Sequence, residues 1–139
     1  MDKVFADSDI CLDVLTQRHP HYYYSAAIFD LAHAGKLSIF VSAVSFTNLF
    51  YLLKRQAGVV AALQGIRRLK ILVTVLPVTD KIIDAALNSE FSDFEDAVQY
   101  YSAIEGGIKT IITRNVKDYK TADCVVLTPE IYLRSFETR

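Results

Sequence analysis

No stretch of this 139-residue chain approaches the roughly 18 to 20 consecutive apolar residues that span a bilayer, which excludes a membrane-spanning helix. The opening residues Met1-Asp2-Lys3-Val4-Phe5 lack the basic segment and apolar stretch of a secretory signal, so a cytoplasmic protein is expected. Cysteine is scarce: Cys11 and Cys124 lie in apolar surroundings at no metal-ligand spacing, and both read as reduced, buried thiols. Repeats, low-complexity tracts and Ser/Gly-rich linkers are missing, and the length suits a single domain over residues 1–139. What is present is apolar: 52% of residues are hydrophobic against 22% charged, ample for one packed core and far from a disordered composition.

Acidic residues are absent between Asp30 and Asp80, where Lys36, Lys54, Arg55, Arg67, Arg68 and Lys70 give +6. The flanks carry 16 acids against nine bases, or −7, so the net charge is −1. That total argues against a generally basic nucleic-acid binder. The asymmetry is what an anionic ligand and a cation site in one molecule need, although a basic face paired with the chain's own acids would look the same.

Short apolar runs predict strands at Val4–Ala6, Leu37–Val41, Leu72–Leu76, Lys109–Thr113 and Cys124–Leu127. Helical spacing predicts helices over Asp9–Gln17 (broken by Pro20), Tyr22–Ala34, Ala43–Arg55, Val59–Leu69, Asp80–Asn88 and Ser92–Glu105, with Pro129 opening a last one. Gly35, Gly58 and the pair Gly106-Gly107 punctuate the pattern. Strands alternate with helices and do not alternate apolar with polar residues. This predicts a three-layer α/β/α sandwich around a central parallel sheet.

Ligands of open parallel sheets bind beyond the carboxyl ends of the strands. Asp7 ends the first strand, with Ser8 and Asp9 just beyond, and Thr113-Arg114-Asn115-Val116-Lys117-Asp118 follows the fourth. Asp93, Glu95 and Asp96 open the helix before that strand. Gathered carboxylates repel one another unless a cation or shared protons intervene. Oxygen-only donors, with no His or Cys in the motifs, suit Mg²⁺ or Mn²⁺ rather than zinc. Phosphodiester hydrolysis is the reaction that fits such an ion. Ser92-Asp93-Phe94-Glu95 matches a capping box, so Glu95 is expected to cap the helix, and Asp93 could simply complement its dipole. Asp96 lies past those positions, with Tyr100 and Ala103 at i+4 and i+7, which favours a functional role. Asp13 and Asp84 read as solvated helix faces, His19 and His21 as loop residues, and Tyr22, Tyr23 and Tyr24 as packing or interface residues. Arg114 and Lys117 could contact substrate phosphates or offset the local acids.

At these residues the chain resembles the PIN domain family, and in particular VapC-type toxin ribonucleases and their bacterial relatives. Val4-Phe5-Ala6-Asp7-Ser8-Asp9 resembles the family's opening strand and Asp-Thr-Asn motif. Asp93-Phe94-Glu95-Asp96-Ala97 resembles its second acidic motif, and Thr113-Arg114-Asn115-Val116-Lys117-Asp118-Tyr119 its closing Thr-Arg-Asn motif. The resemblance implies a metal-dependent endoribonuclease with Asp7, Asp96 and Asp118 as ligands, and Thr113 and Asn115 orienting water or ligands. Two departures stand out. Asp9 replaces the usual Asn, and Asn48 stands where the helix after Val41-Ser42 usually carries a glutamate; Asp9 would compensate for the lost charge, or the nuclease is weakened.

The expected partners are RNA, its backbone cradled by Lys54, Arg55, Arg67, Arg68 and Lys70, a small antitoxin covering the site, and a second copy in a homodimer. A non-catalytic PIN-like module that binds RNA or protein is the alternative, favoured by Asn48. A phosphotransfer receiver ranks last, because no lone acceptor Asp follows a middle strand near Val41 or Val78.

Overall fold

Strands form where apolar runs can be covered on both sides: β1 (Asp2–Ala6), β2 (Leu37–Ser42), β3 (Val73–Leu76), β4 (Thr110–Ile112) and β5 (Val125–Leu127). The computed structural model describes residues 1–119 and 122–138. All four strand pairings are parallel, in the order β3-β2-β1-β4-β5. β1 is central, with Val4 opposite Ile39 on one side and Phe5 opposite Ile111 on the other. The helices are α1 (Ser8–Leu15), α2 (Tyr22–His33), α3 (Ala43–Leu72), α4 (Asp80–Leu87), α5 (Phe94–Glu105) and α6 (Pro129–Glu137).

Successive strand side chains point to opposite faces, and each face has its own core. Val4, Ala6, Ile39, Val41 and Ile112 pack with Ile10, Ile28, Leu49, Leu69 and Tyr132 of α1, α2, α3 and α6. Phe5 and Ile111 face the other way, onto Tyr100 and Ala103 of α5. Ile82 and Ala86 of α4 extend that layer against Ala97 and Val98. Each Val, Leu, Ile or Phe among them contributes about 1.5–3 kcal/mol when fully buried. The result is the expected three-layer α/β/α sandwich on a parallel sheet. Among the described residues no helix is long and apolar enough to cross a membrane.

Several boundaries differ from the sequence reading. The two helices expected on either side of Gly58 are both present and meet in a kink at that residue within α3, but the second runs on to Leu72, so β3 starts at Val73 rather than Leu72. Gly58 has φ 88° and ψ 173°, a conformation open to glycine and not to side-chain-bearing residues. α1 stops at Leu15, before Pro20 is reached, where the Thr16 hydroxyl donates to the Leu12 carbonyl. α5 begins at Phe94 rather than Ser92, and Thr113 lies just past its strand. Cys11 is buried, but Cys124 is only half-buried.

The chain runs β1 to β2 to β3 outward in one direction, then returns to β4 and β5 on the other flank of β1. The order reverses between β1 and β4. A crevice beyond the strand ends is expected there.

Candidate active site

Asp7 stands at that reversal. Its backbone N–H still donates to Ile112 of β4, while its side chain already caps α1 by accepting from Asp9 N at 3.1 Å. Its carboxylate is 5% exposed and has donors on both oxygens. Oδ1 also accepts from Gln99 Nε2 at 3.2 Å and lies 3.3 Å from Ser8 Oγ, whose one proton goes to Glu95 at 2.7 Å. Oδ2 accepts from Thr113 Oγ1 at 3.0 Å and from the Tyr119 phenol at 2.9 Å. A hydrogen bond to a charged group contributes about 1.5–3 kcal/mol, so this acid is fixed in place.

Asp9 lies two residues further along, in the first turn of α1. Its Oδ2 accepts from Arg114 N at 3.3 Å and Asn115 Nδ2 at 3.1 Å, and faces Thr113 Oγ1 at 3.3 Å. Its Oδ1 is buried and has no hydrogen-bond partner among the described residues. Burial first, and the charge of Asp7 second, push the Asp9 carboxyl up to about 7. The single Thr113 hydroxyl proton cannot serve both Asp7 and Asp9, and a protonated Asp9 resolves that conflict. Asp118 sits on a 3₁₀ turn, Val116–Tyr119, and is exposed.

On α5 the cap is Asp93, which accepts from Asp96 N at 2.9 Å. Glu95 therefore does not close a capping box, contrary to the sequence reading. Its Oε1 accepts from Ser8 Oγ at 2.7 Å and its Oε2 from the Asn48 amide of α3. Asp96 occupies the third position of the helix, within the first turn and not past it. Its carboxyl is half-buried and is raised to about 7, by burial first and then by Asp7, Asp93, Asp118 and Glu95.

These groups line one cavity of about 350 Å³: Asp7, Asp9, Asn48, Asp93, Asp96, Asn115 and Asp118 among them, with Ser8 and Glu95. Leu12, Leu49 and Leu52 form its apolar wall. Thr113 sits behind, through its bond to Asp7. The expected cationic residues lie elsewhere. Lys54, Arg55, Arg67, Arg68, Lys70 and Lys117 are exposed and outside the cavity lining. Arg114 turns its guanidinium to Asp13, with Nε 2.6 Å from Oδ2. Asp13 is fully buried, not a solvated helix face.

The donor set is all oxygen and strongly acidic, which suits a hard divalent cation. The orphaned Oδ1 of Asp9 and the two raised carboxyls are features a cation would relieve. Among the described residues, no three acidic, histidine or cysteine side chains yet converge tightly enough to hold an ion. Asp7 is locked, whereas the carboxylates of Asp96 and Asp118 line the cavity and accept no hydrogen bond among the described residues.

Two members were not singled out by sequence. Gln99 is fully buried and joins Asp7, the Ser8 N–H and the Ser45 hydroxyl. Tyr119 was legible only as the aromatic following Asp118, and burial with the nearby Asp7 charge pushes its phenol up, keeping it a donor. A glutamine three residues after Asp96 on a buried helix face was the available signal.

A profile of the family described as PIN domain matches residues 3–117. Ribonuclease VapC1 of Aquifex aeolicus (strain VF5) is 26% identical over 142 residues, 99% of this chain and 97% of that protein. The DNA-bound VapBC structure from Salmonella typhimurium superposes with a TM-score of 0.70 at 14% identity, covering 91% of this chain and 97% of that one. Mycobacterium tuberculosis VapC20, described as a Sarcin-Ricin loop cleaving toxin, gives 0.62 at 19% identity, covering 78% and 86%. The two structural likenesses show a shared fold.

Proposed function

The chain belongs to the PIN domain family, and from that premise we propose that it is a metal-dependent endoribonuclease, the toxin of a toxin–antitoxin pair. The observation that carries this reading is the acid-lined cavity at the strand reversal, where Asp7, Asp96 and Asp118 arrive from three separate segments. The ribonuclease name of the Aquifex relative supports RNA as the substrate. Mg²⁺ or Mn²⁺ fits the oxygen donors, with Asp7, Asp96 and Asp118 as the holding residues. When bound, such an ion would polarise the scissile phosphate and make a water more acidic.

The chain's own residues prepare that event. Gln99, Thr113 and Tyr119 fix the Asp7 carboxylate before anything binds. Asn115 and the Arg114 backbone hold Asp9. Leu12, Leu49 and Leu52 make one wall apolar. Lys117, Lys54, Arg55, Arg67, Arg68 and Lys70 would lead the RNA backbone to the opening. Exposed Tyr51, Leu52, Val59, Val60 and Leu63 of α3 adjoin the cavity through Leu52 and offer an antitoxin its apolar footing. Residues 1–139 act as one domain in a homodimer; a scattering mass of one 15.6 kDa chain would remove the dimer.

Asp96→Asn keeps the shape of the site and removes one charge. With Mn²⁺ present it should slow cleavage of a panel of RNAs by about a hundredfold or more while leaving RNA binding intact. Equal, very slow degradation by wild type and variant would sink the nuclease reading. It would favour the second one, a binding module without catalysis, for which the uncharged Asn48 in the cavity wall speaks.

A further inference from the structure

Asn48 brings no charge to the cavity from α3, yet its amide does not face an empty wall. It donates to Oε2 of Glu95, which reaches across from α5. The other oxygen of Glu95 accepts from Ser8 Oγ at 2.7 Å, beside Asp7. Glu95 is thus clamped between the start of α1 and the second turn of α3, and it lines the same cavity as Asp7, Asp96 and Asp118. Capping does not explain it, because Asp93 performs that task. A favourable dipole in the first turn accounts for an acid there, but not for its two directed contacts with other elements.

We infer that Glu95 supplies, from α5, the acidic charge that α3 lacks at the cation site, with Asn48 and Ser8 as its holders. The inference rests on the metal-dependent reading above. Its physical basis is that side chains at 48 and 95 already meet in the lining of one cavity, so a carboxylate on either residue would bring its charge to the same wall. Two oriented hydrogen bonds also fix the carboxylate before a cation arrives. Groups in this relation to a metal typically change its affinity by about 10- to 100-fold.

A mere strap joining three helices would show the same contacts, and a charge-specific test separates the two. Glu95→Gln retains both links once the Asn48 amide turns over, so only the charge is lost. In the full chain, with Mn²⁺ as the probe, calorimetry should show affinity weakened about 10- to 100-fold. The metal-free melting temperature should be unchanged or higher, because acid–acid repulsion is relieved. Moving the acid back, in Asn48→Glu combined with Glu95→Gln, should bring Mn²⁺ affinity to within about threefold of wild type. Wild-type affinity in Glu95→Gln, with Asp96→Asn impaired, would overturn the inference and leave the nuclease reading standing. So would a loss that the double substitution fails to recover. Should the double variant not fold, Glu95→Gln alone decides. No Mn²⁺ binding by wild type would overturn both readings together.

Discussion

Asp13 shows how much of the site depends on a residue outside it. It is fully buried on α1, and Arg114 reaches it at 2.6 Å, with Arg18 at 3.9 Å. A buried carboxylate without its partner is strongly destabilising. Arg114→Met should therefore lower stability by about 2–4 kcal/mol, discounted for the partial exposure of the guanidinium, in urea unfolding. A loss under half a kcal/mol would show that Arg18 or solvent suffices. The neighbouring acids make a second statement. Asp9 and Asp96 are each pushed up to about 7, with burial the leading cause. Between roughly pH 4 and 7 the folded, cation-free protein thus holds protons that the unfolded chain has released. That stability is complete below the ordinary carboxylate range and is lost as pH rises through 7. Without divalent cations the melting temperature should fall from pH 5 to pH 8, and Asp9→Asn should flatten the decline. A rising profile over that window would contradict the crowding of these acids.

At the scale of elements, α3 is informative. Gly58 adopts φ 88° at the kink between its two helical arms, and a Cβ added there would meet nothing within 4 Å. The penalty of Gly58→Ala is then backbone strain alone, about 1–2 kcal/mol, readable in thermal or urea unfolding. A stabilised variant would mean that the bend straightens freely. Sequence periodicity separates two helices at this glycine, and the backbone agrees, because Gly58 is non-helical between them. The strands were legible because sheets covered on both faces need unbroken apolar runs, and Asp7 followed from the rule of strand ends. Glu95 was not legible. Ser92 and Asp93 are equally good caps by residue type, and choosing between them shifts the helix by one residue, rotating every later side chain by about 100°. Contacts to Ser8 and Asn48, 87 and 47 residues away, decided it. Asp13 failed for a related reason: an acid beside Ile10 and Val14 reads as a solvated edge until Arg114 arrives from 101 residues downstream.

Over the whole molecule, charge is divided between an acidic cavity and a cationic helix. Lys54, Arg55, Arg67, Arg68 and Lys70 all lie exposed on α3. If they carry an RNA backbone, affinity should fall steeply with salt. Neutralising Arg67 and Arg68 together should reduce the log–log slope by about 1.4 for single-stranded RNA, following a loss of roughly 0.7 per phosphate contact. An unchanged slope would route the RNA along another face.

The strand order also sets a schedule. β1 is made first, yet the strand that completes its other flank, β4, comes more than a hundred residues later, and Asp118 later still. A segment ending before β4 therefore lacks the third carboxylate, the Tyr119 donor and the Thr113 clamp together. Such long-range pairing is slow to form, because distant segments must meet before either is rewarded. The cavity is thus a property of the paired sheet and not of any one segment that lines it.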